Sequence, residues 1–196
     1  MHSPIALFAY RRPRHLAMTL EALLQNPEAR DTRLYVFADA PRDSSAEHDV
    51  NAVRQVIENI SGFASVETFF RPHNFGLAKN ITQGVSEVLR ANETVIVVED
   101  DIVVTPAFLQ FMNSALDLYR SELKVGSISG YCYPVKTRLP DTFFIKGADC
   151  WGWATWRDRW AVYEPDGSKL LAELEARHLE HAFDFGGINA FTQLLK

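Results

Sequence analysis

Residues 95–104 read Val-Ile-Val-Val-Glu-Asp-Asp-Ile-Val-Val, three consecutive acids set inside an otherwise unbroken apolar run. So dense a β-branched stretch predicts a strand buried on both faces, which belongs to a parallel sheet covered by helices. Carboxylates there repel one another. At ~4–5 Å and an effective dielectric near 20, each pair costs roughly 3–4 kcal/mol before screening. A positive partner must offset that cost, and a divalent cation suits it. A solvated turn beginning at Glu99 is the other reading, opposed by the apolar run resuming at Ile102.

The surrounding sequence supports the sheet. Short apolar runs at Ile5–Tyr10, Leu34–Ala38, Val66–Phe70, Thr94–Glu99 and Val125–Gly130 read as strands. Between them, Pro13–Gln25, a helix opened by the capping box Ser44-Ser45-Ala46-Glu47, Gly76–Arg90, and a helix from Thr105-Pro106 to about Glu122 carry apolar residues at helical spacing. Repeated strand–helix–strand units predict a mostly parallel α/β sheet with helices on both faces. Right-handed crossovers put the carboxyl ends of the parallel strands on one edge, where ligands of such sheets bind. Tyr10-Arg11-Arg12, Asp39, Arg71–Asn74 and Glu99–Asp101 therefore converge there.

Beyond Gly130 the pattern changes. Phe143–Ile145 reads as one further strand, and Trp151, Trp153, Trp156 and Trp160 have spacings that put several on one helical face. Ser168–His178 reads as an exposed helix, and Asp184–Lys196 as a helical or irregular segment without a capping signal. Residues 1–196 read as a single domain, either whole or truncated at the carboxyl end.

Composition narrows the class. A net charge of −5 argues against nucleic-acid binding. No apolar stretch reaches the ~20 residues of a membrane span, and the first residues lack the form of a signal peptide. Cys132 and Cys150 form no Cys-x-x-Cys motif, so free thiols in a reducing, cytoplasmic setting are expected. Asn59-Ile-Ser, Asn80-Ile-Thr and Asn92-Glu-Thr match the glycosylation triplet and are the counter-signal.

Side chains alternate along a strand, so Glu99 and Asp101 are expected on one side with Asp100 opposite, unless the strand has already turned. An acid–x–acid pair at a strand's carboxyl end suits a hard cation, Mn²⁺ or Mg²⁺, completed by water and a diphosphate. With these motifs the chain resembles the GT-A glycosyltransferases. It is closest to the β-1,2-N-acetylglucosaminyltransferase I type, through Val-Val-Glu-Asp-Asp-Ile-x-Val-x-Pro-x-Phe-x-x-Phe at 97–111, and to bacterial family 2-like enzymes.

The resemblance implies a GT-A fold and a metal-dependent, inverting transfer of sugar from a nucleotide-sugar donor, UDP-sugar favoured, to a hydroxyl of a glycan, lipid-linked or protein acceptor. It implies Asp101 as metal ligand beside Glu99, and Asp100 on the ribose. Arg12 would lie near the nucleotide, Asp39 on the uracil N–H, and Lys79 and Asn80 in the loop-to-helix segment near nucleotide and metal. At the position of Asn80 the acetylglucosaminyltransferase type carries a histidine. Gly152 and Trp153 are expected near donor and acceptor, against the alternative that the tryptophans anchor the core. The catalytic base is not placed by the sequence; Asp149 and Asp158 are candidates. The rivals are a nucleotidyltransferase, which would show a Gly-rich loop where Tyr10-Arg11-Arg12-Pro13 stands, and a phospho-receiver module, which would need a lysine after the fifth strand.

Overall fold

A computed structural model describes residues 2–195. The chain divides into two compact units, one running to Trp160 and one from Ala161 onward. In the first, β1 (Ile5–Ala9) leads through α1 (Pro13–Leu24) to β2 (Arg33–Ala38). Then α2 (Glu47–Glu58), β3 (Ser65–Phe70), α3 (Leu77–Ala91), β4 (Thr94–Glu99) and α4 (Phe108–Leu118) follow. The short β5 (Ile128–Ser129), β6 (Trp153–Trp156) and one turn of helix, α5 (Arg157–Trp160), complete the unit.

These strands form one sheet in the order β3-β2-β1-β4-β6-β5. β1 through β4 are parallel, whereas β6 runs antiparallel to both β4 and β5. That antiparallel strand separates the sheet from the all-parallel 2-1-3-4-5 order of receiver modules. Side-chain alternation divides the core. Ile5, Leu7, Leu34, Val36, Ile96 and Val98 join Leu16, Leu23, Val53, Ile57, Leu109 and Met112 on one face. Ala6, Phe8, Phe37, Val95 and Val97 meet Val85, Val88 and Leu89 of α3 on the other. The sheet is thus covered on both sides, as the unbroken apolar strands require.

Several local expectations are corrected. Ser44–Glu47 does not form a capping box: Asp43 accepts from Ser45 N at 3.0 Å, Ser44–Ala46 makes a 3-10 turn, and α2 starts after it. The helix expected from Thr105-Pro106 starts at Phe108, whose N–H bonds Thr105 O at 3.1 Å. The strand expected over Val125–Gly130 shrinks to Ile128–Ser129. Phe143–Ile145 forms no strand; the run is exposed, with no neighbouring strand to pair its backbone groups. Trp153–Trp156 form a strand, not a helical face, because period-2 placement splits them between the two apolar layers: Trp153 packs with the α3 side and Trp156 with the α4 side.

The second unit holds α6 (Gly167–Ala176) and α7 (Glu180–Phe183). Asp166 caps α6, accepting from Ser168 N and Lys169 N at 3.0 and 3.2 Å. Asp184 accepts from both N and Oγ1 of Thr192, at 2.8 and 2.7 Å, and ties down the last turn. No helix among the described residues is long and apolar enough to cross a membrane.

Candidate functional site

The strand order reverses between β1 and β4: from β1 the chain builds outward through β2 and β3, then returns to place β4 on the other side. The crevice outside the carboxyl ends at such a reversal is the binding position in open α/β sheets. Arg12 follows β1 and Glu99–Asp101 end β4, so these residues flank the reversal.

β4 has turned by Asp100. Asp100 is 2 % exposed and faces the start of α1, accepting from Tyr10 N at 3.1 Å, while its backbone oxygen takes Thr19 Oγ1 at 3.0 Å. Arg12 grips the turn like a fork: Nη2 donates to Asp100 Oδ1 and Nη1 to Asp101 Oδ2, each at 2.6 Å. Burial works against the Arg12 charge, but the two carboxylates outweigh it and hold the guanidinium above its ordinary value. Burial pushes the Asp100 carboxyl up in spite of Tyr10 N–H and Arg12. The half-buried Glu99 is pushed up by burial first and then by Asp101 and Asp100. Part of the positive partner that the acids demanded is therefore Arg12, a residue of the chain itself.

Asp39 is 4 % exposed. Its Oδ1 accepts from Ala40 N at 2.9 Å and Phe75 N at 2.8 Å; Oδ2 accepts from Gly76 N at 2.9 Å and Asn74 Nδ2 at 3.2 Å. Four donors fill the acceptor positions of one carboxylate. In this structure Asp39 therefore clamps the loop entering α3, where Gly76 sits at φ +74°, a conformation suited to glycine. A base imide would reach it only by replacing the Asn74 amide, its longest partner. Asn80 is also buried, 4 % exposed, with Oδ1 taking Arg71 Nε at 2.8 Å. Arg71 in turn pairs with Glu87 at 3.0 Å and lies between the Phe37 and Phe75 rings, 5.0 Å from each centroid. Asn80, expected in the segment near nucleotide and metal, braces a buried arginine in this structure. Lys79 is exposed, its Nζ 4.6 Å from the Phe75 centroid, and remains a cation at the first turn of α3.

The tryptophans and the candidate bases separate by position. Gly152 has φ +73°, and its oxygen accepts from Gly130 N at 2.7 Å. A Cβ there would stand 3.2 Å from the Phe108 ring, so Gly152 serves a turn and a close approach. Trp153 is half-buried, packed against the α3 side of the core and against Trp160, centroids 5.8 Å apart. In this structure that packing is an anchoring one. Asp158 lies beyond the carboxyl end of β6. Because Trp156 pairs with Thr94 at the start of β4, that is the edge opposite Glu99. Its carboxylate is paired with Arg159 at 2.8 Å, whose hydrogen bonds hold it below the usual range. Asp158 is therefore removed from the candidate bases. Asp149 stays on the acidic edge, its Oδ1 accepting from Trp151 N at 2.8 Å.

A cation was implied by the acids, and the donor set bears on it. Among the described residues no cluster of three or more His, Cys, Asp or Glu is arranged to hold a metal. Glu99 and Asp101 supply hard carboxylate oxygens, one of which Arg12 engages. The residues fit a hard divalent ion shared with an anionic ligand, not an all-protein cage.

The mostly parallel order 3-2-1-4-6-5, with helices on both faces and an antiparallel β6, matches the fold expected from the sequence resemblance. The fold is a mostly parallel α/β sheet with one antiparallel strand inserted. No family model and no curated protein matches the chain. Solved structures do. S. aureus TarS aligns with 61 % of this chain and 20 % of its own at 15 % identity and TM-score 0.43. The mannosyltransferase PcManGT from Pyrobaculum calidifontis, in complex with GDP-Man and Mn²⁺, aligns with 66 % of this chain and 35 % of its own (16 % identity, TM-score 0.46). The 4-diphosphocytidyl-2C-methyl-D-erythritol synthase from Anaerococcus prevotii aligns with 90 % and 77 % (10 % identity, TM-score 0.47). This chain spans about a fifth and a third of the first two.

Proposed function

We propose that the chain carries the donor site of a metal-dependent, inverting glycosyltransferase that uses a nucleotide sugar, UDP-linked by preference. One observation carries the reading: Arg12, Asp100 and Asp101 meet at the point where the strand order reverses, with the half-buried Glu99 beside them. Acids gathered at the ligand-binding edge of a sheet, incompletely neutralised by one arginine, suit a ligand that brings both cation and phosphate.

In this reading Glu99 and Asp101 hold Mn²⁺ or Mg²⁺, which when bound neutralises charge on the departing diphosphate. Asp100 stays fixed by Tyr10 N–H and sets the turn, and the ribose approaches from its side. The exposed part of Arg12 lies within reach of phosphate oxygens. The first-turn N–H groups of α3, with Lys79, add positive potential for the diphosphate. Asp39 holds the entering loop in shape for the base. At the acceptor end a carboxylate takes the proton of the attacking hydroxyl as the new C–O bond forms and the bond from the anomeric carbon to phosphate breaks. In this reading Asp149 takes that role.

Thermal unfolding with UDP or GDP, each with and without Mn²⁺, tests the reading. The expected result is stabilisation by a nucleoside diphosphate only when metal is present, UDP exceeding GDP. Equal midpoints in all conditions would overturn it.

A further inference from the structure

With Trp156 in the core and Trp153 packed against it, a different aromatic group is left at the acidic edge. Tyr131, Tyr133 and Trp151 are 37 %, 59 % and 43 % exposed. Their ring centroids lie 4.8 Å (Tyr131–Trp151), 5.1 Å (Tyr131–Tyr133) and 5.6 Å (Tyr133–Trp151) apart, at interplanar angles of 67°, 84° and 41°. Three large rings in mutual contact, yet held partly in solvent, form a concentrated aromatic patch of the kind that marks a recognition site.

The sheet sets where this patch lies. Trp153 is paired with Val97 on one side and Ser129 on the other. The hydrogen bond from Gly130 N to Gly152 O, 2.7 Å, carries the β5–β6 ladder one step further. Beyond this row Glu99 ends β4, Trp151 lies two residues before β6 and Tyr131 two residues after β5, so all three leave the sheet at the same edge. The electrostatics agree. The Cys150 thiol is pushed up by burial and then by Glu99 and Asp149, so the aromatic segment and the acids share one neighbourhood. The Tyr133 phenol is held above its ordinary value by burial first and then by the negative charge of Asp149.

We infer that Tyr131, Tyr133 and Trp151, bordered by Asp149, form an acceptor subsite that takes the pyranose ring of a saccharide. The inference rests on the donor-site reading above. It selects a glycan over a lipid or a protein hydroxyl as the acceptor class. A lipid chain would call for a continuous apolar trough. Here the rings are tilted against one another, carry two phenol hydroxyls and are rimmed by carboxylates. A pyranose has the matching character: its C–H face lies on the electron-rich face of a ring, and its hydroxyls reach phenol and carboxylate oxygens. A sugar on this patch also sits next to the acids proposed to hold the donor, as transfer to one of its hydroxyls requires.

Saturation-transfer NMR on the full chain with chitotriose, maltotriose and mannotriose tests the subsite, with the thermal shift by UDP and Mn²⁺ recorded in parallel. At least one trisaccharide should receive saturation on its ring protons. Trp151→Ala and Tyr131→Ala should weaken its binding about tenfold, Trp151→Phe should retain most of it, and the UDP–Mn²⁺ shift should persist in all three. If Trp151→Ala fails to fold, Tyr133→Ala at the most exposed ring should show the same loss. Absence of saturation transfer from every trisaccharide would overturn the subsite, as would variants that bind like the parent. Loss of binding to a dodecyl-chain detergent on Trp151→Ala without any saccharide signal would assign the patch to lipid instead. A missing UDP–Mn²⁺ shift in the parent would overturn the donor reading separately.

Discussion

Arg12 Nη2 stands 2.6 Å from Asp100 Oδ1, joining a guanidinium that is 44 % exposed to a carboxylate that is 2 % exposed. The same guanidinium reaches Asp101, which is 36 % exposed, at 2.6 Å. The inner contact neutralises a buried charge; the outer one is a surface pair of small worth.

Arg12→Met therefore removes the partner of a buried carboxylate. Water reaching the half-open position offsets part of the loss, so a destabilisation of about 1–3 kcal/mol is expected by urea unfolding at neutral pH. The deficit should shrink in acid, where Asp100 is protonated in the variant.

Glu99 and Asp100 both have carboxyls raised by burial, so the folded chain holds protons that the unfolded chain has already lost. Their contribution to stability is present below the ordinary carboxylate range and declines as pH rises through the raised folded values. Glu99→Gln removes its share of this decline. The variant should melt higher than the parent at pH 7, with a smaller difference at pH 4, as followed by circular dichroism.

Asp101→Asn keeps the turn and relieves repulsion at the cost of an exposed ion pair. Its stability should stay within about 1 kcal/mol of the parent. Stabilisation by UDP with Mn²⁺ should vanish, and a variant shifted as much as the parent would contradict the assignment of Asp101 as the ion's ligand.

Asp39→Ala leaves the N–H groups of Ala40, Phe75 and Gly76 and the Asn74 amide without their acceptor. A loss of about 2–4 kcal/mol is expected in chemical denaturation. Faster amide exchange at Phe75 and Gly76 would show that the loop into α3 has loosened.

Gly84 lies in the interior of α3, and a methyl group there would come within 2.6 Å of Phe8 Cε1 and 3.0 Å of Phe37 Cδ2. Alanine gains up to about 1 kcal/mol of helix propensity, but overpacking costs about 1–3 kcal/mol. Gly84→Ala should therefore unfold at lower denaturant than the parent.

The order of strands and helices through α4 was legible in the sequence because each element repeats its apolar residues at its own period over many positions. The edge on which the acids lie followed from crossover handedness. Short or isolated signals fared worse. The tryptophan spacing fitted a helix as readily as a strand, and only pairing with β4 decided it. Phe143–Ile145 had the composition of a strand but no partner.

By itself the sequence determined a doubly covered, mostly parallel sheet and the cost of three acids at the end of β4, since both follow from local composition and period. Only the tertiary structure decided what meets those acids. Arg12 lies 88 positions from Asp100, Asp39 lies 36 from Phe75, and neither distance leaves a trace in local pattern. Tertiary packing also set Trp153 against the α3 layer and left Trp151, which precedes β6, beside Tyr131, because pairing with β4 and β5 decides where the strand begins.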